Sequence, residues 1–306
     1  IHVGFWLARR MGLLFERYFG VDWYDHLDEP GLWTRIENIP DLELWDVRRH
    51  LKRKLINYAI EGARDRWQTG KRHASQIIAD GVMLDQYSLT LGFARRFATY
   101  KRANLIFSDY DRLLRMVSNR DMPVQIIFAG KAHPADEPGK LLIQKVYQAA
   151  KDYRFCGRIV FLEDYDLNVA RLMVQGVDVW MNTPRRPNEA SGTSGMKAAL
   201  NGTLNFSILD GWWREGYNGS NGWAIGDELD CEDPTEQDAK DAASLYDKLE
   251  NEIIPMYYQN RAMGDASSEW IAKIKENMRT LAWQFSTRRM LKDYLHKMYL
   301  PALNEK

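Results

Sequence analysis

Two hydrophobic periods divide the chain. Up to about residue 85 the apolar positions recur at helical spacing: Leu44, Val47, Leu51, Leu55 and Tyr58 fall on one stripe, with Arg48, Arg49, Lys52, Arg53 and Lys54 between them. Spacing of three and four residues sets one helix face on a core and leaves the charges in water. Asp41 is the expected cap of that helix, and the basic run reads as a solvated face. From Gln86 the pattern changes to continuous apolar runs at 88–94, 123–130, 157–162, 176–182 and 204–209, separated by helical patterns at about 102–119, 137–153 and 166–175. Buried strands alternating with helices predict an α/β fold, a Rossmann-like parallel sheet with ligands bound outside the carboxyl ends of its strands. Asn218 to Gly222 reads as a turn and 226–233 as an acidic loop. Asp233-Pro234-Thr235-Glu236 then opens a helix, and further helices are expected at about 268–284 and 287–299. The pattern thus gives a helical lead-in over 1–85, an α/β core over 86–230 and C-terminal helices over 231–306.

Composition removes several function classes. The 42 basic and 42 acidic residues cancel, which argues against the positive footprint that nucleic acid or an anionic membrane surface requires. No apolar run reaches the roughly 18 residues of a membrane span, and no signal-peptide pattern opens the chain, so a cytoplasmic protein is expected. Cys156 and Cys231 lack CxxC spacing and suggest neither a disulfide nor a zinc site. The 11 tryptophans and 15 tyrosines mainly predict core, though flat rings also suit sugar faces. A chain that begins at Ile1 rather than Met is expected to be part of something longer.

Candidate chemistry concentrates in two loops. In Asn188 to Gly202, the small residues Gly192, Thr193, Ser194 and Gly195 let backbone N–H groups converge at a helix start, with Lys197 about one turn further on. This is no P-loop, since Met196 and Ala198 stand where glycine and a hydroxyl would flank the lysine. A lysine beside a phosphate cradle also suits a Schiff-base anchor for pyridoxal phosphate; a Gly-rich helix cap with an exposed lysine is the plainer alternative. At the exit of the first core strand, Arg95, Arg96, Lys101 and Arg102 place four cations within eight residues. Arginine grips phosphate as a fork and lysine as a point charge, so Arg96 and Lys101 suit one phosphate between them; the alternative is a solvated loop. Glu189 and Ser191 suit sugar hydroxyls, or Glu189 merely favours a helix start. His133 has no second ligand at metal spacing and reads as structural.

Glu189-Ala190-Ser191-Gly192-Thr193 with Gly195-Met196-Lys197 and Leu200-Asn201-Gly202, preceded by Arg96 and Tyr100-Lys101-Arg102, closely resembles the glycogen, starch and maltodextrin phosphorylases. Asn182 to Pro187 and Leu209-Asp210-Gly211-Trp212-Trp213 are similar to the bacterial and archaeal α-glucan phosphorylase branch, and the similarity runs from Trp6 to Pro301. The resemblance implies a retaining glycosyltransferase of the B-type fold, two Rossmann-like domains across a cleft, of which this chain would be the C-terminal one with the N-terminal domain absent. It implies pyridoxal 5′-phosphate on Lys197, its phosphate on Gly192, Thr193 and Ser194 with Arg95, and Trp6 near its ring. Arg96 and Lys101 would hold substrate phosphate; Glu189, Ser191 and Gly192 would bind the glucosyl hydroxyls, with Tyr100 lining the pocket. The implied reaction is phosphorolysis of an α-glucan, maltodextrin or glycogen, by inorganic phosphate to α-D-glucose 1-phosphate. The cofactor's phosphate would be the acid/base partner of substrate phosphate, and no metal is involved. A homo-oligomer is compatible with the full-length enzyme, and the chain alone is expected to be inactive.

The pattern departs from the larger phosphorylases at two positions. Tyr165 is followed by Asp166 where they carry arginine, so either another cation, such as Arg185 or Arg186, replaces it or the alignment slips locally; Ser194 stands where they have glycine. Two other readings stay open: a nucleotide-sugar-dependent glycogen or starch synthase, which lacks a cradle lysine, and a non-catalytic glucan-binding module, which does not need one.

Overall fold

The apolar runs become the strands of one parallel sheet in the computed structural model, which describes residues 1–70, 72–229, 231–259 and 267–304. The strands are β1 (Leu89–Ala94), β2 (Val124–Ala129), β3 (Ile159–Leu162), β4 (Val179–Asn182), β5 (Leu204–Ile208) and β6 (Gly222–Ile225). Their order is β3-β2-β1-β4-β5-β6, every pair parallel. Nearly every strand residue is buried, because helices cover both faces; hence the absence of alternation in the sequence. This is the Rossmann order, with its topological switch point between β1 and β4, where Leu91 pairs with Val179. The expected fold class is therefore found. The sixth strand was not expected: at four residues, Gly-Trp-Ala-Ile, it is too short to separate from the turn before it.

The labelled helices are α1 (Arg9–Phe19), α2 (Asp41–Gln68), α3 (Tyr110–Ser118), α4 (Glu137–Ala150), α5 (Leu167–Gly176), α6 (Ser194–Leu200), α7 (Pro234–Lys248), α8 (Ser268–Leu281) and α9 (Thr287–Tyr294). Among the described residues no helix is long and apolar enough to cross a membrane. The helix expected over 102–119 is broken. Two 3-10 turns, Thr99–Lys101 and Leu105–Phe107, precede α3, and Arg102 between them is left-handed at φ 44°. Asp109 starts α3 by accepting from the Arg112 N–H at 2.8 Å. In the acidic loop, Asp230 lies outside the described residues.

Helix α2 corrects two expectations. Asp41 is its first residue rather than its cap, and the carboxylate pairs with Lys275 at 2.7 Å. Nor is the basic run wholly solvated, for Arg48 and Lys52 are each only 2% exposed. Arg48 donates to the Gln175 and Asn201 carbonyls at 2.6 and 2.8 Å and also to Val177. These are carbonyls at the carboxyl ends of α5 and α6, where a helix leaves its last acceptors without intrahelical donors. Burial lowers the Arg48 pKa to about 10, so it remains a cation there. Lys52 pairs with Asp178, and its ammonium also donates to the Ser88 carbonyl and the Tyr257 hydroxyl. Helical periodicity marks such residues as outward only when one face of a helix is covered. Here α2 is covered on more than one side, and long basic stems reach through to buried acceptors.

Candidate active site

The loops after β1 and β4 meet at the switch point, and Arg102 joins them. Its Nε donates to the Thr183 carbonyl and its Nη2 to the Pro184 carbonyl, both at 2.9 Å. The rest of the guanidinium pairs with Asp238 and Asp241 of α7, each at 2.7 Å. In return, the Thr183 hydroxyl donates to the Lys101 and Arg102 carbonyls at 3.1 Å, and the Arg185 N–H donates to the Tyr100 carbonyl at 2.6 Å. The two half-sheets thereby present one continuous rim.

On that rim Arg95, Lys101 and Glu189 converge. Arg95 and Lys101 are 8% and 9% exposed. Arg95 Nη2 pairs with Glu189 Oε2, and Lys101 Nζ lies 3.3 Å from the same oxygen. The Lys101 ammonium also sits 5.1 Å from the Tyr100 ring centroid. Arg95 Nε and Nη1 are buried and have no hydrogen-bond acceptor. Two largely buried cations therefore share one carboxylate, and two guanidinium donors are left to fill; unfilled buried donors of this kind are costly.

Glu189 is aimed by Asp210 on the loop after β5. Asp210 Oδ2 accepts from the Glu189 N–H at 2.8 Å and Oδ1 from the Gly211 N–H at 3.0 Å. Gly211 has φ 55°, and a Cβ there would lie 2.5 Å from the Ser191 carbonyl oxygen, so only glycine lets the two loops touch. Ser191 in turn accepts from the Trp212 N–H at 2.8 Å.

Lys197 lies on α6 with its ammonium 4.0 Å from the centroid of the Trp6 ring. Burial lowers its pKa. Asn201 makes this contact: its Nδ2 donates to the Trp6 carbonyl at 3.0 Å and the Lys197 carbonyl at 2.9 Å, while its Oδ1 accepts from the Ala8 N–H at 2.8 Å. A fully buried asparagine thus pins the lead-in segment onto the lysine helix. Asn201 belongs to the Leu200-Asn201-Gly202 motif, but its role is not legible in the sequence, because an amide three residues before β5 carries no periodic signal.

Gly192 turns the cradle at φ 79°, and Ser194 Oγ accepts from Trp180 Nε1 at 3.2 Å. Thr193 and Ser191 are exposed. Gly195 fits closely, for an added Cβ would lie 2.6 Å from both Asn205 Oδ1 and the Trp212 ring. Gly195→Ala is accordingly expected to lose about 1–3 kcal/mol in urea unfolding through overpacking; an unchanged midpoint would show that α6 has room to shift.

Not every expected residue joins the cluster. Arg96 is exposed and makes no hydrogen bond or ion pair among the described residues. Arg185, a candidate for the place of the missing arginine, pairs with Asp238 at 2.6 Å. Arg186 donates to the Asp227 carbonyl at 3.2 Å. Asp166 has a local purpose instead, capping α5 by accepting from the Val169 N–H at 2.8 Å. His133 Nδ1 accepts from the Ala135 N–H at 3.1 Å, and no cluster of metal-ligating side chains occurs among the described residues.

Fold and site together define a Rossmann-type domain whose switch point gathers two largely buried cations on one carboxylate. Residues 44–216 match the family model described as carbohydrate phosphorylase, and the chain belongs to that family. It is 48% identical over 305 residues to a glycogen phosphorylase of Aquifex aeolicus, covering 100% of this chain and 44% of the relative. With a maltodextrin phosphorylase of Thermococcus litoralis it shares 49% over 304 residues, covering 99% and 35%. A glycogen phosphorylase of Mycobacterium tuberculosis is 38% identical over 302 residues, covering 99% and 34%. The chain thus spans less than half the length of these relatives.

Proposed function

We propose that this chain is the cofactor-bearing part of an α-glucan phosphorylase, releasing α-D-glucose 1-phosphate from maltodextrin or glycogen by attack of inorganic phosphate with retention. The observation that carries this is Arg95, buried with two donors unfilled beside Lys101 and Glu189. The named activities of relatives at 48% and 49% identity supply the substrate class.

The residues also fit pyridoxal 5′-phosphate. Lys197 is a half-buried amine against an aromatic face with its pKa lowered by burial, the condition under which lysine serves as a carbonyl-reactive nucleophile. The unfilled Arg95 donors suit a phosphate. Lys197 would hold the cofactor, Trp6 would border it, and Gly192, Thr193, Ser194 and Arg95 would take its phosphate. Bound there, pyridoxal 5′-phosphate supplies a phosphate group that exchanges a proton with a neighbouring phosphate. Lys101 and Arg96 orient inorganic phosphate, and with Arg95 they offset the charge of two adjacent phosphates in a poorly solvated site. Glu189, Ser191, Gly192 and Tyr100 receive the glucosyl unit. A synthase or a non-catalytic module has no evident use for a lysine held this way. A cytoplasmic location goes with this reading.

The test is phosphorolysis of maltoheptaose by the full-length protein loaded with pyridoxal 5′-phosphate, followed by borohydride reduction and peptide mapping. Glucose 1-phosphate and a label on Lys197 are expected; a loaded protein that makes no glucose 1-phosphate, or a label elsewhere, rejects the proposal. Because the lowered pKa leaves more neutral amine at a given pH, cofactor capture should begin at lower pH than for a solvent-exposed lysine. Absorbance followed across pH 6 to 10 would check this, and capture rising only with the ordinary lysine titration would contradict it.

A further inference from the structure

Glu189 sits where a ligand anion is expected. Both cations the site offers inward are already on its carboxylate, and they share the same oxygen, Oε2. Its second oxygen, Oε1, makes no hydrogen bond among the described residues and is not fully buried. We infer that Glu189 is the resident counter-ion of the phosphate-binding cations, and that its exchange for an incoming phosphate couples anion binding to sugar recognition. The inference rests on the phosphorylase reading for the identity of the sugar, but not for the exchange itself.

The argument is one of charge. Arg95 and Lys101, each less than a tenth exposed, carry two positive charges against a single carboxylate. Without Glu189 the cations would repel each other in a poorly solvated pocket; with it they stay at phosphate-binding distance from a common point. An arriving inorganic phosphate brings more charge than the carboxylate and competes with it for Lys101, while Arg95 Nε and Nη1, which Glu189 leaves empty, are filled by the cofactor's phosphate. It also repels Glu189. The carboxylate is tethered through its own N–H to Asp210, and its loop carries the glycine turn at Gly192, whose Cα hydrogen side faces the Glu189 stem: a Cβ there would lie 3.5 Å from Glu189 Cγ. It therefore remains at the site after release, with both oxygens available to hydroxyl donors. Phosphate thus converts Glu189 from an ion-pair partner into a sugar acceptor, and sugar binding should follow anion binding.

The experiment compares inorganic phosphate binding by the full-length protein and its Glu189→Gln variant, using calorimetry and thermal shift. Removing the competing charge should tighten phosphate about tenfold, which corresponds to about 1.4 kcal/mol. The phosphate-induced rise in melting temperature should also be larger in the variant, which keeps the test readable if the variant is less stable. In the same titrations phosphate should tighten glucose binding by the wild type and no longer do so in Glu189→Gln. Equal or weaker phosphate binding in the variant overturns the exchange, and phosphate-independent glucose binding in the wild type overturns the coupling. Failure of the phosphorylase reading would look different: no glucose 1-phosphate from the loaded wild type, whatever the phosphate affinities.

Discussion

Lys101→Ala in the full-length enzyme is expected to lower kcat/KM for phosphorolysis about 10²–10³-fold, the usual effect of removing one group that stabilises developing charge. The backbone should not move, since the Lys101 carbonyl is held by the Thr183 hydroxyl and the turn is fixed by Arg102. Glu189 would still be paired by Arg95, so cofactor uptake, read from its absorbance, should be nearly normal. The loss should appear mostly against phosphate concentration, and Lys101→Arg should restore part of it, because a fork can replace a point charge only with a shifted oxygen. Near-normal turnover in Lys101→Ala would remove Lys101 from the substrate site and with it the assignment of the β1 loop.

The largest effect on stability is expected at Asp178, far from the crevice. Its carboxylate pairs with buried Lys52 and accepts from the Thr90 N–H at 2.9 Å, all within the start of the sheet. Asp178→Ala removes the carboxylate from a buried ammonium and is expected to lower unfolding free energy by about 3–5 kcal/mol. Lys52→Met in the same background should recover part of this, because the charge goes with its partner; the double-variant cycle in urea gives the coupling directly. Simple additivity of the two substitutions would mean that the Ser88 carbonyl and the Tyr257 hydroxyl, not Asp178, compensate the lysine.

Both cases bear on what could be read in the sequence. The sheet was legible because each of its first five strands is a continuous apolar run, the pattern of a surface covered on both sides, and the loops bearing Arg95, Lys101, Glu189 and Lys197 fall at carboxyl ends as parallel topology requires. The motif that resembles the phosphorylases marked the right loops because its small residues and its lysine are adjacent in sequence. What escaped is non-local. Arg48 and Lys52 look like surface residues until α5, α6 and the sheet are placed around α2. The broken helix before α3 follows from Arg102, whose left-handed backbone serves contacts with residues 81 to 139 positions later. Fork-and-point-charge chemistry and the resemblance both put Arg96 with Lys101, whereas the structure brings Arg95 to the Glu189 carboxylate that Lys101 shares and leaves Arg96 exposed.

The arginine under α6 sets a limit on how far the lysine loop can be regarded as a unit. Arg48 closes the carboxyl end of the helix that carries Lys197 by taking the Asn201 carbonyl, and the Asn201 side chain closes the same helix onto Trp6. A helix of seven residues has little axial stiffness of its own, so its far end fixes where its lysine stands. Grafting Glu189 to Gly202 into another doubly wound sheet would carry the glycines and the lysine but not the two stops that hold them. The proposed cofactor grip is not portable as a loop; it would have to travel with α2 and the first turn of the chain.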